Sequence, residues 1–378
     1  MTTTSNCSYL KILTSYFAFL SPILHTFSLR LCSLDVSLNL PVISIVYHVS
    51  THLMINLFSI SLLFHRTFNN LKLFAGFILL GFSDQPQLEM ILFVVVLISY
   101  LLTLVGNTAI ILVSCLDPLL HTPMYYFLTN LSFVDFCFTT SIVPQLLWNL
   151  HGPSKTITPI GCAIQLYISL ALGSTECVLL AVMAFDRYAA VCRPLHYATV
   201  MHSRLCQSLA GMAWLSGVGN TLIQGTITLR LPRCGNHRIY HFICEVPAMI
   251  KLACVDIHAN EVQLFMASLV LLLLPLALIL ISYACIIQAV MRIRSAQAWR
   301  KALGTCGSHL LVVSLFYGTV TAVYIQPNSS YVHSQGKFIT LLYTVVTPTF
   351  NPLIYTLRNK DVKGALKRLV RKDQSTAE

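Results

Sequence analysis

Two acidic residues stand inside long stretches that contain no other Asp, Glu, Lys or Arg. These residues are Asp135 and Glu176. A charged side chain at bilayer depth is costly, so both residues suggest a function. Two neighbouring carboxylates in a low-dielectric surrounding do not both ionise cheaply. The pair therefore indicates either a shared proton in a hydrogen-bonded pair that joins two helices, or a bound cation.

A second arrangement that could carry chemistry is an acidic residue followed directly by a basic one. Asp186 and Arg187 stand at the end of the uncharged stretch that contains Glu176, and Tyr188 follows them. A carboxylate in this position can hold the guanidinium group in one conformational state and release it in another. The alternative is a static ion pair at the membrane interface.

Metal-type and nucleophile-type residues also occur in pairs. His241, Cys244 and Glu245 lie close together in the sequence, and His237 is one helical turn away, so a metal-assisted binding site is one interpretation. This interpretation fails if Cys244 is in a disulfide, because a disulfide sulfur is not a thiolate ligand. Ser308 and the adjacent histidine have no acidic partner nearby, so catalysis is not indicated and we do not expect an enzyme.

The elements that must position these residues follow from the composition. Of the 378 residues, 56% are hydrophobic and only 10% are charged, whereas soluble domains carry roughly 25% charged residues. Seven windows are apolar enough, at about 20 residues each, to cross a bilayer as helices. They cover approximately residues 91–113, 125–148, 163–185, 205–229, 262–290, 309–326 and 338–357. The sequence therefore predicts an all-α membrane protein, a seven-transmembrane helix bundle.

The links between the windows predict the orientation. If the chain enters the first window from outside, 14 Lys and Arg residues lie on the inner side and 6 lie in outer loops. Basic residues accumulate on the cytoplasmic side, so we expect a multi-pass plasma-membrane protein with an extracellular second outer loop and a cytoplasmic C-terminus. The net charge of +11 is then explained by membrane-flanking residues, and no nucleic-acid partner is expected.

The chain after the seventh window has an amphipathic pattern. Apolar residues recur at helical spacing among Lys and Arg, as expected of a short cytoplasmic eighth helix that lies on the lipid of the inner leaflet. The apolar residues are Val362, Ala365, Leu366, Leu369 and Val370.

The first 76 residues form a separate, atypical extension ahead of the domain at 77–378. Residues 42–64 carry no charge and are long enough to span a membrane, but they contain two histidines and several hydroxyl side chains. An additional hydrophobic segment, a loosely membrane-associated tail and an over-extended translation start, with Met54 as a candidate for the natural start, all remain open.

Short motifs distributed over most of the windows carry a family resemblance. In this order, and together with Asp186-Arg187-Tyr188, they resemble the olfactory receptors, a branch of the rhodopsin-like G-protein-coupled receptors, over about 77–373. The family usually has Tyr at position 185, where this chain has Phe. It also usually has a glycosylation sequon just ahead of residue 77, whereas the sequon here is Asn6-Cys7-Ser8. The motifs are Gly106-Asn107, Pro123-Met124-Tyr125-Tyr126-Phe127-Leu128, Lys301-Ala302 with Thr305-Cys306 and Ser308-His309, and Pro348-Thr349-Phe350-Asn351-Pro352-Leu353-Ile354-Tyr355.

The resemblance implies roles for particular residues. Four cysteines that we place on the outer side have three possible connectivities, and the family pattern implies Cys162 with Cys244 and Cys234 with Cys254. It also implies a sodium ion as the cation at Asp135 and Glu176. The residues expected to form the switch that couples to a heterotrimeric G protein are Asp186, Arg187, Tyr188, Tyr283, Asn351, Pro352 and Tyr355.

The outer halves of the third, fifth, sixth and seventh windows carry no Asp, Glu, Lys or Arg, so we expect a small neutral volatile ligand. The resemblance implies an odorant receptor that acts through the stimulatory olfactory G protein and cyclic AMP. Two alternatives remain open: a transporter that uses Asp135 and Glu176, and a receptor of the same family that acts outside the nose. Helical phase and the family's pocket indicate a lining of Ser169, Gly173, Ser174, Cys177, Ala267, Ser268, Leu271, Tyr317, Val320, Thr321, Tyr324 and Thr344.

Overall fold

The computed structural model describes residues 76–83, 85–235, 237–293, 296–325, 334–358, 362–365 and 367–368. The segment 42–64, Met54 and the sequon at Asn6 lie outside these residues. The division of the chain at residue 76 therefore stays a prediction.

Seven long helices make up most of the described chain. Proline occupies one of the first two positions of α1, α2 and α3, where its missing N–H costs no hydrogen bond. Helices α5 and α7 each contain one π-helical turn, at Leu269–Leu273 and Leu342–Val346. The helices are α1 (Pro86–Leu116), α2 (Pro123–His151), α3 (Pro159–Cys192), α4 (Ser203–Arg230), α5 (His258–Ser268 and Leu274–Ile293), α6 (Ala296–Tyr324) and α7 (Ser334–Leu341 and Thr347–Arg358).

The prediction of seven helices is confirmed, and most of the predicted windows lie inside the observed helices. The helices are longer than the windows, because polar or charged residues outside a window still continue the helix, as Glu89 does in α1. The largest difference is in α6, which begins at Ala296 instead of residue 309 and includes Arg300. Six of the seven helices are long and apolar enough to cross a membrane, and α4 is the exception.

The bundle is centred on α3, which packs against α2, α4, α5 and α6. Gly217 of α4 permits a close approach, because a Cβ atom at this position would lie 2.3 Å from the carbonyl oxygen of Ala171 in α3. Helix pairs in membranes use small residues in this way. The helix that carries Glu176 and Arg187 is therefore held on several sides.

One end of the bundle carries a small three-stranded sheet that the sequence did not indicate. Strand β1 (Phe77–Leu79) lies between β2 (Thr156–Ile157), with which it pairs antiparallel, and β3 (Arg238–Ile239), with which it pairs parallel. Two disulfides lie at the same end, Cys162–Cys244 and Cys234–Cys254. They are the pairs that the family resemblance implied. The first ties the loop between α4 and α5 to the start of α3.

The opposite end holds the first short loop and the chain after α7. Arg368 donates to the Asp117 carboxylate at 2.6 Å, and hydrogen bonds from this guanidinium group lower the pKa of Asp117 despite the opposing effect of desolvation. Residues 362–365 and 367–368 are helical. The full eighth helix stays a prediction, because Leu366, Leu369 and Val370 are outside the described residues.

Candidate functional site

A cavity lies inside the bundle near the end that carries the sheet. Ser169, Gly173, Ser174 and Cys177 form its α3 wall. Their spacing of three or four residues places them on one face of the helix. The other walls come from α2, α4, α5, α6, α7 and the loop between α4 and α5, so the cavity is enclosed by most of the bundle.

The cavity has a volume of about 80 Å³. A water-sized group needs about 10–15 Å³ on this measure, so the space accommodates roughly five to eight such groups. The lining is mostly apolar, which is typical of sites for small organic ligands. Besides these four residues, it consists of Leu166 and Leu170, which also belong to α3, and of Phe138, Ile142, Asn220, Gln224, Ile243, Glu245, Val246, Leu264, Ala267, Ser268, Leu271, Leu272, Phe316, Val320, Tyr324 and Tyr343.

Nine of the twelve residues expected to line a ligand pocket lie in this cavity, and three do not. The Tyr317 hydroxyl is directed at α3 and donates to the Cys177 carbonyl oxygen at 2.8 Å. The Thr344 hydroxyl donates to the Thr340 carbonyl oxygen within α7. Thr321 is also absent from the lining. Tyr343 takes the place expected for Thr344, because the π-helical turn shifts the helical phase that the prediction assumed.

Glu245 lines the cavity and carries an ionisable group, but the helical phase of the sequence did not predict it as a lining residue. It belongs to a loop, and its position follows from Cys244, whose disulfide to Cys162 brings this loop over the bundle. The backbone N–H of Cys244 also donates to the Gln165 side chain at 2.9 Å. The sequence signal that was available is the adjacency of Glu245 to a cysteine expected to pin the loop.

The Glu245 carboxyl is buried among aromatic hydroxyls. Tyr343 donates to its Oε2 atom at 2.7 Å, the Tyr324 hydroxyl is hydrogen-bonded to the same carboxyl group, and His241 Nε2 lies 3.5 Å from Oε1. Burial raises the pKa of Glu245 to about 7, against the lowering effect of the two tyrosine hydrogen bonds. Burial and the charge of Lys337 lower the pKa of His241 to about 3, so this histidine is neutral at physiological pH.

The metal interpretation of His241, Cys244 and Glu245 is wrong, because Cys244 forms a disulfide with Cys162 and has no thiolate to offer. Across the part of the chain that the structure describes, no group of three or more His, Cys, Asp and Glu side chains is arranged to hold a metal ion.

The two acids in the helices lie close enough to interact, and Asn351 of α7 contacts both. Its Nδ2 atom donates to Asp135 Oδ2 at 2.9 Å. Asp135 Oδ1 and Glu176 Oε1 are buried without a hydrogen-bond partner. Two buried carboxyl oxygens without a partner fit either a shared proton or a small cation that prefers oxygen ligands. Asn107 of α1 donates to the carbonyl oxygens of Thr103 and Pro348.

The Asp-Arg pair lies at the opposite end of α3. Arg187 is buried and forms an ion pair with Asp186. The second oxygen of that carboxylate accepts a hydrogen bond from the Tyr197 hydroxyl at 2.7 Å. Nearby, Tyr283 of α5 and His309 Nδ1 of α6 are joined at 2.7 Å. The contact with Tyr197 joins the end of α3 to the segment that follows it, and the last contact joins α5 to α6.

The remaining switch residues stand near these contacts. The ring of Tyr188 stacks on Phe185, with 6.3 Å between the ring centroids. Pro352 of α7 lies against Gly106 of α1, where a Cβ atom would come within 2.8 Å of the proline ring. Tyr355 is buried, and its hydroxyl has no hydrogen-bond partner in this arrangement. Tyr188 follows Arg187 directly, whereas Asn351 contacts Asp135 and, near the middle of α3, Glu176.

A bundle of seven long helices, an apolar cavity under a disulfide-bonded loop and an Asp-Arg pair at the far end define a class. They are the features of a seven-transmembrane receptor of the rhodopsin-like G-protein-coupled type. Residues 96–373 match the family model described as olfactory receptor. The chain belongs to the olfactory receptor family.

Human relatives match most of the chain. The chain is 64% identical to human olfactory receptor 2G3 over 294 residues, and the matched region covers 78% of this chain and 95% of that receptor. It is 60% identical to human olfactory receptor 2G6, over 78% of this chain and 93% of that receptor. With human olfactory receptor 2H1 the identity is 58%, over 80% and 96% of the two chains.

The protein is therefore an odorant receptor and not an enzyme, and it is a multi-pass protein of the plasma membrane. Its partners are an odorant and a G protein. The receptor assignment replaces the transporter interpretation of Asp135 and Glu176, because this chain matches olfactory receptors over nearly the whole length of those receptors.

Proposed function

We propose that the receptor binds a small neutral volatile molecule in the cavity and activates the stimulatory olfactory G protein, which raises cyclic AMP. The observation that carries the proposal is that one helix joins the cavity to the Asp-Arg pair. Cys177 lines the cavity, and Arg187 follows on the same helix. At 1.5 Å per residue, the ten intervening steps correspond to about 15 Å along α3.

The contact between α3 and α6 beneath the cavity is the proposed link between ligand and switch. Phe316 and Val320 of α6 line the cavity, and Tyr317 between them donates to the Cys177 carbonyl oxygen. A ligand that presses on this part of the wall binds better to one arrangement of α3 and α6 than to another. Only such a difference in affinity shifts a conformational equilibrium.

At the far end, we expect the inner part of α6 to move outward in the active state. This movement separates Tyr283 from His309 and releases Arg187 from Asp186. Tyr283 and Tyr355 then pack near Arg187, and the cleft admits a helix of the G protein. Arg292 and Arg300, which are exposed at this end, flank the cleft.

A sodium ion is the proposed occupant of the acid site. Asp135, Glu176 and Asn351 would hold it, and its charge would offset the two carboxylates. Asp135→Asn removes one carboxylate while keeping the shape of the side chain. We expect this variant to lose the sodium dependence of basal signalling, measured in membranes with sodium or choline as the cation. Equal sodium dependence in the variant and the wild type would contradict the proposal.

We further propose that the end with the sheet and the two disulfides faces the outside, because disulfides persist in oxidising compartments. The second outer loop is then extracellular and the C-terminus cytoplasmic, in agreement with the 14 basic residues on that side. The predicted eighth helix would lie on the inner leaflet.

The experiment that tests the whole proposal is a cyclic-AMP reporter assay with surface staining. The full chain and a version that starts at Met54 are screened against small volatiles. Arg187→Ala should remove the response, and the exposed Arg204→Ala at the same end serves as a matched control. A normal response from Arg187→Ala, or no response from either chain despite surface display, would contradict the proposal.

A further inference from the structure

The structure assigns Glu245 as the residue that sets which ligands the cavity accepts, and we propose that it selects small molecules with a hydrogen-bond donor at one end of an apolar body. The inference rests on the proposed odorant site and names its ligand class. The expected ligand is small, because the volume of about 80 Å³ holds only roughly five to eight water-sized groups.

The first step of the argument is the position of the acid. Among the described residues that line the cavity, Glu245 carries the only carboxyl group, and none of them is Lys, Arg or His. It comes from the loop over the bundle, whereas most of the remaining lining is apolar. One end of the cavity is therefore polar and the opposite walls are apolar, so an amphiphilic molecule has a preferred orientation.

The second step is the direction of the other hydrogen bonds in the lining. The Ser169 hydroxyl donates to the Leu166 carbonyl oxygen, and the Ser268 hydroxyl donates to the Leu264 carbonyl oxygen. A hydroxyl whose proton is engaged by its own helix presents lone pairs to its remaining surroundings. These two hydroxyls therefore offer the cavity acceptors, whereas the Ser174 hydroxyl accepts from the Asn220 amide at 2.9 Å and keeps its own proton.

The third step is the state of the carboxyl itself. Tyr343 and Tyr324 donate to it, which favours the ionised form and fixes its orientation. A carboxylate oxygen has about two lone-pair sites, so a bond from each tyrosine does not exhaust its capacity to accept. At the Glu245 end of the cavity a ligand hydroxyl meets an acceptor, whereas a ligand group that only accepts hydrogen bonds meets the same lone pairs and is disfavoured there.

The ionisation of Glu245 also predicts how the response depends on external pH. Since its pKa is about 7, the ionised fraction rises as the pH increases from 6 to 8. The groups that face it are Tyr324, Tyr343 and the neutral His241, and Lys337 lies near that histidine. A hydroxyl ligand binds the carboxylate more strongly than the protonated acid, so its potency should increase with pH.

The test uses four probes with the same six-carbon chain: hexanol, hexylamine, hexanal and hexanoic acid. Cyclic-AMP responses of the full-length receptor are normalised to surface staining. Hexanol should be about tenfold more potent than hexanal, which reflects the difference between hydrogen bonds to charged and to neutral groups. Hexylamine should be the second most potent probe after hexanol, and ionised hexanoic acid should be the least potent. Equal potency of hexanol and hexanal would overturn the inference.

The decisive variant is Glu245→Gln, which keeps the size of the side chain and removes its charge. We expect it to lose the preference for hexanol over hexanal and the rise in hexanol potency between pH 6 and 8. Glu261→Gln is the matched control, because Glu261 lies near the same end, in α5, and does not line the cavity. A preference that survives in Glu245→Gln would overturn the inference, as would its loss in the control.

Two further measurements separate this inference from the proposed function. The pH profile of hexanol potency in the wild-type receptor needs no variant, so it applies even if Glu245→Gln fails to fold, and a flat profile counts against Glu245. Thermal stabilisation of the purified full-length receptor by the four probes needs no G protein. Stabilisation by hexanol above hexanal without cyclic AMP would reject the proposed signalling and support the role of Glu245. Equal or absent stabilisation would reject that role.

Discussion

Gly217→Ala is the substitution whose effect follows most directly from the packing of α3 and α4. The added Cβ atom would lie 2.2 Å from the Thr175 hydroxyl oxygen and 2.3 Å from the carbonyl oxygen of Ala171, whereas ordinary contacts begin at about 3.4 Å. The carbonyl belongs to the α3 backbone, and the hydroxyl donates to that same carbonyl oxygen at 2.8 Å. Neither atom moves easily, so α4 must move away from α3 by about 1 Å.

Overpacking of this kind in a well-packed interior costs typically about 1–3 kcal/mol. Alanine also favours the helix over glycine by about 0.8–1 kcal/mol, which partly conceals the clash. Gly219→Ala, on the same helix, has the same gain in helix propensity and no atom within 4 Å of the new Cβ. The difference between the two variants therefore isolates the clash, and it should reach about 1–3 kcal/mol.

The assay is thermal unfolding of the purified variants in detergent, with surface staining in cells. A loss of about 1–3 kcal/mol corresponds to a decrease in melting temperature of roughly 2–12 °C for Gly217→Ala relative to Gly219→Ala. The odorant response should also weaken, because Asn220 and Gln224 on the displaced helix α4 line the cavity. Equal melting temperatures for the two variants would refute the packing argument.

Three further predictions follow from individual contacts. Tyr317→Phe removes the hydroxyl that joins α6 to α3 beneath the cavity, so ligand-free cyclic AMP should rise by about 2–12-fold, for a hydrogen bond of about 0.5–1.5 kcal/mol; unchanged basal signalling would count against the link. Tyr197→Phe frees one oxygen of the acid in the Asp-Arg pair and should also raise basal signalling, and a decrease would show that this bond does not restrain the resting state. Cys162→Ser removes a disulfide that joins residues 82 positions apart, and Cys254→Ser removes one that joins residues 20 positions apart. Loop-closure entropy predicts that these disulfides stabilise the fold by about 4.5 and 3 kcal/mol. Surface display should therefore decrease more for Cys162→Ser, and the reverse order would contradict the estimate.

The helical framework could be predicted from the sequence because the bilayer imposes a length and a composition on each span. The seven windows lie within or near the observed helices, and the errors are at the ends, where charged residues such as Arg300 continue a helix beyond the membrane. The three short strands were not foreseen. Each has two or three residues and is positioned by partners distant in the chain, as when Phe77 pairs with Ile157.

The cavity was predicted in part, and the reasons for success and failure differ. Ser169, Gly173 and Cys177 share one face of α3, and a regular helix carries its periodicity from sequence into structure. Tyr343 was missed because a π-helical turn changes that periodicity within α7. Tyr317 is absent from the lining, and its hydroxyl donates to the backbone of α3.

The number of helices and the two acids inside them can be read from local stretches of sequence, because solvation by lipid constrains the composition of each segment separately. The place of Glu245 in the cavity lining cannot be read in this way. Its position depends on a disulfide between residues 82 positions apart and on a tyrosine hydroxyl from α7. Contacts between distant segments are set by how the helices and loops pack together, and no local pattern encodes them.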